Sequence, residues 1–168
     1  MAGTLSLNLP DLRATQRFGW LLGQWLPVGT VVLLSGPLGS GKTTLTQGLG
    51  ESLGIDQTID SPTFTLINEY LTGRVPLYHV DLYRLEGAAA DSLYLETYWE
   101  GEEVEPGILV IEWAERLQYL PDAPIRLSLA YAGNGRQAQL TWPSGWHDEL
   151  WGKFQEVLRH DEVLVDEV

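Results

Sequence analysis

Residues 30–54 read as a buried strand, a glycine-rich turn and a helix in unbroken succession, an order that few folds accommodate. Thr30-Val31-Val32-Leu33-Leu34-Ser35 is a β-rich apolar run with little polar alternation, the pattern of a strand covered on both faces in a parallel sheet. It leads into Gly36-Pro37-Leu38-Gly39-Ser40-Gly41-Lys42-Thr43, which fits G-x-x-x-x-G-K-[ST] without a mismatch. Leu45, Leu49 and Leu53 then recur at helical spacing until Gly54. A loop hung between such a strand and helix turns successive N–H groups and the helix N-terminus toward one point, where they hold a phosphate. Glycines let the backbone turn tightly and approach the anion with no Cβ in the way. The segment from Gly36 to Thr43 is therefore expected to bind the phosphates of a nucleoside triphosphate with Mg²⁺. Lys42 is the mobile charge on the β- and γ-phosphates, and the Thr43 hydroxyl is a metal ligand. The expected fold class is α/β: a P-loop NTPase-like three-layer fold with a mainly parallel central sheet and antiparallel hairpin additions.

With 168 residues, 44% of them hydrophobic, the chain suits one domain with a substantial core. No run of about 18 apolar residues occurs, and Met1-Ala2-Gly3-Thr4 has no secretory character, so a cytoplasmic protein without membrane association is expected. The absence of cysteine excludes disulfides and thiolate-held metals, and His79, His147 and His160 are scattered, so any metal should be a hard cation held by oxygen. A formal net charge of −13 argues against independent nucleic-acid binding, because affinity for a phosphate backbone comes largely from Lys and Arg. Part of that charge lies in Asp161 to Val168, read as a frayed or solvated acidic tail.

Along the chain, Phe18, Leu21, Leu22, Trp25 and Leu26 have the spacing of a packing helix that ends at Pro27 and Gly29. Phe64 to Tyr70 and Val75 to Asp81 read as neighbouring strands joined by a tight turn at Thr72-Gly73. Gly87 to Trp99 reads as a poorly patterned helix, and Ile108 to Ile111 as a further strand. Ile125 to Tyr131 and Gln137 to Trp142 form a hairpin across Gly133-Asn134-Gly135-Arg136. Residues 1–145 form the P-loop domain; residues 146–168 add a helix striped by Trp146, Leu150, Trp151, Phe154, Val157 and Leu158, together with the acidic tail, packed on or extending that domain.

A P-loop hydrolyses nothing unless a carboxylate assists the metal and the attacking water is positioned. Asp81 and Glu112 each end an apolar strand, and ligands of open α/β sheets sit outside the carboxyl ends of the strands. Neither the Asn-Lys-x-Asp base reader nor the Asp-x-x-Gly switch of Ras-type GTPases occurs, which favours ATP as the nucleotide.

Together these residues resemble the TsaE (YjeE-like) family of bacterial ATPases, which assist threonylcarbamoyladenosine modification of tRNA. The resemblance rests on Lys42-Thr43-Thr44, on Ser61-Pro62-Thr63-Phe64-Thr65-Leu66-Ile67-Asn68-Glu69-Tyr70, on Tyr78-His79-Val80-Asp81-Leu82-Tyr83-Arg84-Leu85 and on Ile111-Glu112-Trp113, over about residues 8 to 140. It implies that Gly39 to Thr44 wrap the phosphates, that Thr43 and Glu112 bind Mg²⁺, that Thr63 is a switch residue near the γ-phosphate, and that Asp81 orients metal or water. It implies an adenine site between Asp11 to Thr15 and the Gly135-Arg136 hairpin. Trp113 packs beside the nucleotide or fills the core, and His79 holds Asp81 or makes a plain buried hydrogen bond. Family members act with the TsaD and TsaB proteins, and contact tRNA only through that complex. Gly87-Ala88-Ala89-Ala90-Asp91 departs from the more acidic run usual there, and Gly145 to Val168 extends past the matched part. Two alternatives stay open: a small-molecule kinase, and a nucleotide-gated binding module with negligible hydrolysis alone.

Overall fold

The structure, a computed structural model, describes residues 2–164. Strand β1 (Gly3–Leu9) precedes helix α1 (Leu12–Trp25), and β2 (Val31–Ser35) feeds through the glycine-rich turn into α2 (Lys42–Ser52). Next come β3 (Ile67–Tyr70), β4 (Leu77–Asp81), the short helices α3 (Ala88–Asp91) and α4 (Glu96–Glu100), and β5 (Ile108–Glu112). A single 3-10 turn at Ala114–Arg116 leads to β6 (Ile125–Ala132), β7 (Gly135–Trp142) and α5 (Asp148–His160).

The seven strands form one sheet in the order β1-β7-β6-β2-β5-β4-β3. Strands β6, β2, β5 and β4 run parallel at its centre, while β3 and the β7–β1 pair are antiparallel at its two margins. The continuous apolar runs of β2 and β5, and the complete burial of β4 around its single internal His79, follow from cover on both faces. One face packs Val32, Leu34, Val110 and Leu127 against Phe18, Leu22, Leu45 and Phe154 of α1, α2 and α5. The opposite face packs Leu33, Val80 and Ile111 against Ala90, Leu95 and the segment after β5, completing three layers.

Glycines bring α1 and α2 unusually close. A Cβ on Gly19 would sit 2.0 Å from the Leu45 carbonyl oxygen, and one on Gly48 would sit 2.0 Å from that of Gln16. The helix that carries the phosphate loop is thereby set against its neighbour backbone to backbone.

Several sequence expectations need correction. Strand β1 has no counterpart in the sequence expectations, although Leu5, Leu7 and Leu9 alternate; it forms by pairing along all of β7. Residues 64–66 are a turn, with Leu66 at φ 69°, so β3 begins only at Ile67. Its link to β4 is no tight turn but a six-residue loop, held because the Arg74 N–H donates to Leu53 O at 2.7 Å and its guanidinium reaches Gly23 O. The helix expected over 87–99 splits into α3 and α4, and Tyr94 at φ 50° marks the break.

Helix α5 inserts Trp151, Phe154 and Leu158 into the larger core, with the Trp151 and Trp142 rings stacked at 4.3 Å and 10°. The start of the expected solvated tail is instead docked: Asp161 is buried and bonds Arg17 at 2.9 Å, and Leu164 is buried in the core. Residues 165–168 of that tail lie outside the described residues. No helix among the described residues is long and apolar enough to cross a membrane.

Candidate nucleotide site

The phosphate loop takes its shape from backbone conformations that side chains disfavour. Gly39 has φ 75° and Gly41 has φ 102°, both in left-handed space where a Cβ is penalised. Gly41 caps α2, so the helix starts at Lys42 with its first N–H groups and the positive end of its dipole facing the cleft. Lys42 Nζ donates to Gly36 O at 2.6 Å and Pro37 O at 3.2 Å, and lies 3.9 Å from Glu112 Oε1.

The acids arrive from the sheet. Parallel pairing of β4 with β5 sets Asp81 opposite Glu112, so two carboxylates end adjacent strands on the same face as α2. Glu112 Oε2 bonds His79 Nε2 at 2.8 Å. Asp81 is held by others: Oδ2 accepts from Thr63 Oγ1 at 2.9 Å and Oδ1 from the Tyr83 N–H at 2.9 Å. His79 does share a face with Asp81, as strand alternation requires, but its bond crosses to the neighbouring strand because the register puts Glu112 diagonally ahead of it. The Thr63 hydroxyl also lies 2.9 Å from that of Ser61.

These groups surround a cavity of about 370 Å³ lined by Gly39, Ser40, Gly41, Lys42, Thr43 and Thr44 on one side and Ser61, Thr63, Asp81 and Glu112 on the other. Leu12, Leu38, Tyr83 and Trp113 supply its apolar walls. A larger open groove of about 690 Å³, between α1 and the segment after α5, contains none of this chemistry.

Not every residue expected at the nucleotide lines the cavity. Gly36 sits behind it as an acceptor for Lys42. Asp11 caps α1, its Oδ1 accepting from the Ala14 N–H at 2.8 Å, and its neighbour Leu12 faces the cavity instead. Gly135 packs on the chain at Leu9 and Pro10, where a Cβ would meet Leu9 O at 2.5 Å. Arg136 grips the outside of the phosphate loop, donating from Nη2 to Gly39 O at 2.9 Å and from Nε to Ser40 O at 3.1 Å. Trp113 both lines the cavity and packs on the smaller core, with φ 61° and its ring 5.1 Å from that of Tyr83. Tyr83, Ser61 and Tyr131 carry no sequence-derived role; Tyr83 lies two residues past Asp81, the spacing at which a side-chain oxygen caps a turn N–H.

The donor set suits magnesium. It offers carboxylates and hydroxyls, and Mg²⁺ takes one or two carboxylates, keeps waters and relies on phosphate oxygens. Among the described residues no three His, Cys, Asp or Glu side chains form an all-protein metal cage.

Known proteins resemble this chain in sequence and in fold. A 57% identical relative from a Nostoc species, the tRNA threonylcarbamoyladenosine biosynthesis protein TsaE, aligns over 134 residues, 79% of this chain and 83% of its own. The TsaE protein of Bacillus subtilis is 36% identical over 151 residues, covering 89% of this chain and 90% of its own. A crystal structure of Bacillus subtilis YdiB superimposes with a TM-score of 0.78 at 30% identity, over 94% of this chain and 97% of that one. The family model described as threonylcarbamoyl adenosine biosynthesis protein TsaE matches residues 9–138, and with the phosphate loop, both strand-end carboxylates and Thr63 inside that span, the chain belongs to the TsaE family.

Proposed function

We propose that this protein is a Mg²⁺-dependent ATPase of the cytoplasm that serves tRNA threonylcarbamoyladenosine biosynthesis, acting with the TsaD–TsaB complex to allow repeated threonylcarbamoyl transfer. The observation that carries the catalytic part is the approach of Lys42 Nζ to Glu112 Oε1, 3.9 Å, at the head of the cavity that Gly39 to Thr44 line. A cation, the N–H groups at the start of α2 and a carboxylate gathered at one cavity suit a metal-bound triphosphate. Glu112 and the Thr43 hydroxyl are the metal ligands in this reading, and bound Mg²⁺ supplies charge neutralisation on the phosphates. Asp81 and Thr63, joined at 2.9 Å, orient the attacking water.

Lys42 is the only basic side chain lining the cavity among the described residues, and no arginine reaches it. That favours slow turnover by the isolated chain, with a partner completing the site, over a kinase that encloses its phosphates with several arginines. The acidic balance suits a protein that serves an RNA-modifying complex without gripping tRNA itself.

The test combines calorimetry and pull-down. Wild type is expected to bind ATP with Mg²⁺, Lys42→Ala to lose tight binding, and Glu112→Ala to keep some binding but lose Mg²⁺-dependent hydrolysis. Capture of TsaD and TsaB should change with ATP. Wild-type activity in either variant would overturn the assigned roles; capture of neither protein would remove the pathway assignment.

A further inference from the structure

The tip of the β6–β7 hairpin touches the phosphate loop at three consecutive carbonyls. The Tyr131 hydroxyl donates to Leu38 O, Arg136 Nη2 donates to Gly39 O at 2.9 Å, and Arg136 Nε donates to Ser40 O at 3.1 Å. Arg136 is itself locked, because Nη1 donates to Gly135 O at 2.8 Å and the guanidinium carbon lies 4.5 Å from the Tyr131 ring centroid. Neither Arg136 nor Tyr131 lines the cavity, whereas Leu38, Gly39, Ser40 and Gly41 do.

In a planar trans peptide the C=O of one residue and the N–H of the next point to opposite sides. Pinning the Leu38 and Ser40 carbonyls outward therefore turns the Gly39 and Gly41 N–H groups toward the cavity. The Gly39 carbonyl, held the same way, directs the Ser40 N–H inward to Pro37 O at 3.1 Å, which closes the turn of the loop. Glycine at 39 and 41 makes these conformations accessible without making them obligatory, so something outside the loop has to select them.

We propose that Arg136 and Tyr131 are positioning residues that hold the phosphate loop in its anion-binding conformation from behind, so that the nucleotide meets a preformed nest. The planar fork of arginine is what allows one side chain to bridge two successive carbonyls; a lysine ammonium lacks that geometry. The inference rests on the nucleotide-binding reading above, and it differs from a direct contact of Arg136 with the base or ribose.

Binding of ATP and of inorganic tripolyphosphate, which has the phosphates and no nucleoside, separates these cases by titration calorimetry on the full chain. Arg136→Ala and Arg136→Lys are both expected to lose affinity for ATP and for tripolyphosphate by the same factor, roughly 10- to 100-fold, the range commanded by side chains that orient an ion's direct ligands. Tyr131→Phe, which deletes one oxygen and keeps the stacked ring, is expected to lose roughly 2- to 10-fold for both. Nucleotide-free melting curves report whether each variant folds, and a merely structural role would lower the melting temperature while leaving the affinity of folded molecules intact. Loss confined to ATP would assign Arg136 to the nucleoside and overturn the inference, as would full tripolyphosphate affinity in Arg136→Lys. Should Arg136→Ala not fold, the lysine and phenylalanine variants decide. Failure of wild type to bind either ligand would instead sink the nucleotide-binding reading itself.

Discussion

His79 and Glu112 face each other across two parallel strands, Nε2 to Oε2 at 2.8 Å, with the imidazole fully buried and the glutamate side chain 4% exposed. A buried carboxylate needs a partner for each oxygen. His79 occupies Oε2 and leaves Oε1 directed toward Lys42, which fixes the rotamer of the one acid expected on the metal. Replacing His79 by Leu removes that donor, and stability should fall by about 1–3 kcal/mol. The Mg²⁺ concentration needed for ATP turnover should rise as well. Gln at this position can still donate and should recover most of both effects. Urea denaturation and a magnesium titration of hydrolysis measure them, and a Leu variant with the wild-type magnesium requirement would show that His79 does not orient Glu112.

Thr63 reaches Asp81 from a turn, not from the sheet, so this bond can form and break without disturbing the core. In Thr63→Ala the carboxylate loses its hydroxyl partner while the phosphate loop is untouched. ATP affinity should stay within about threefold of wild type, and turnover in the presence of partners should drop roughly 10-fold or more. Thr63→Ser should restore turnover. Equal turnover in the alanine variant would remove Thr63 from the catalytic apparatus.

Gly48 faces Gln16 O across the α1–α2 contact, with 2.0 Å available to an added Cβ. Backbone cannot retreat as a flexible side chain can, so Gly48→Ala must push the two helices apart. The expected cost is about 1–3 kcal/mol despite the better helix propensity of alanine. Thermal unfolding tests this. A gain in stability would show that the interface yields freely.

Tyr98 donates to Glu69 Oε1 at 2.7 Å and stands 4.9 Å from the Tyr78 ring. Burial first, then the bond to Glu69 and its charge, push the Tyr98 phenol up to about 12, and burial with the charges of Glu69 and Glu105 raises Tyr78 as well. In the unfolded chain a tyrosine ionises near 10. Below about pH 10 both states keep the proton and the contribution to stability is fully present. Between about 10 and about 12 the unfolded chain releases it first, so stability falls as pH rises through that window. Absorbance titration should therefore resolve a late tyrosinate step that Glu69→Gln moves to lower pH. An unmoved step would mean that the Glu69 contact does not form in solution.

How much of this was legible in advance depended on the range of the interaction involved. The phosphate loop, the helix after it, the buried strands and the acids that end β4 and β5 are written in contiguous residues, because glycine placement, helical spacing and apolar runs are local consequences of sterics and burial. Trp151, Phe154 and Leu158 likewise announced an apolar stripe. Which surface that stripe meets was not written there.

Partnership across the chain came only with the tertiary structure. His79 is two residues from Asp81 in sequence, yet it bonds Glu112, because register between β4 and β5 and not spacing along β4 decides which carboxylate lies within reach. Arg136 has no local motif, yet hairpin placement sets its fork on Gly39 and Ser40, 97 and 96 positions away. The chain itself determined a phosphate-binding loop and its strand-end acids through local conformational preference. Folding alone decided what holds that loop and those acids in place, since hydrogen bonds between distant residues exist only once packing has brought their elements together.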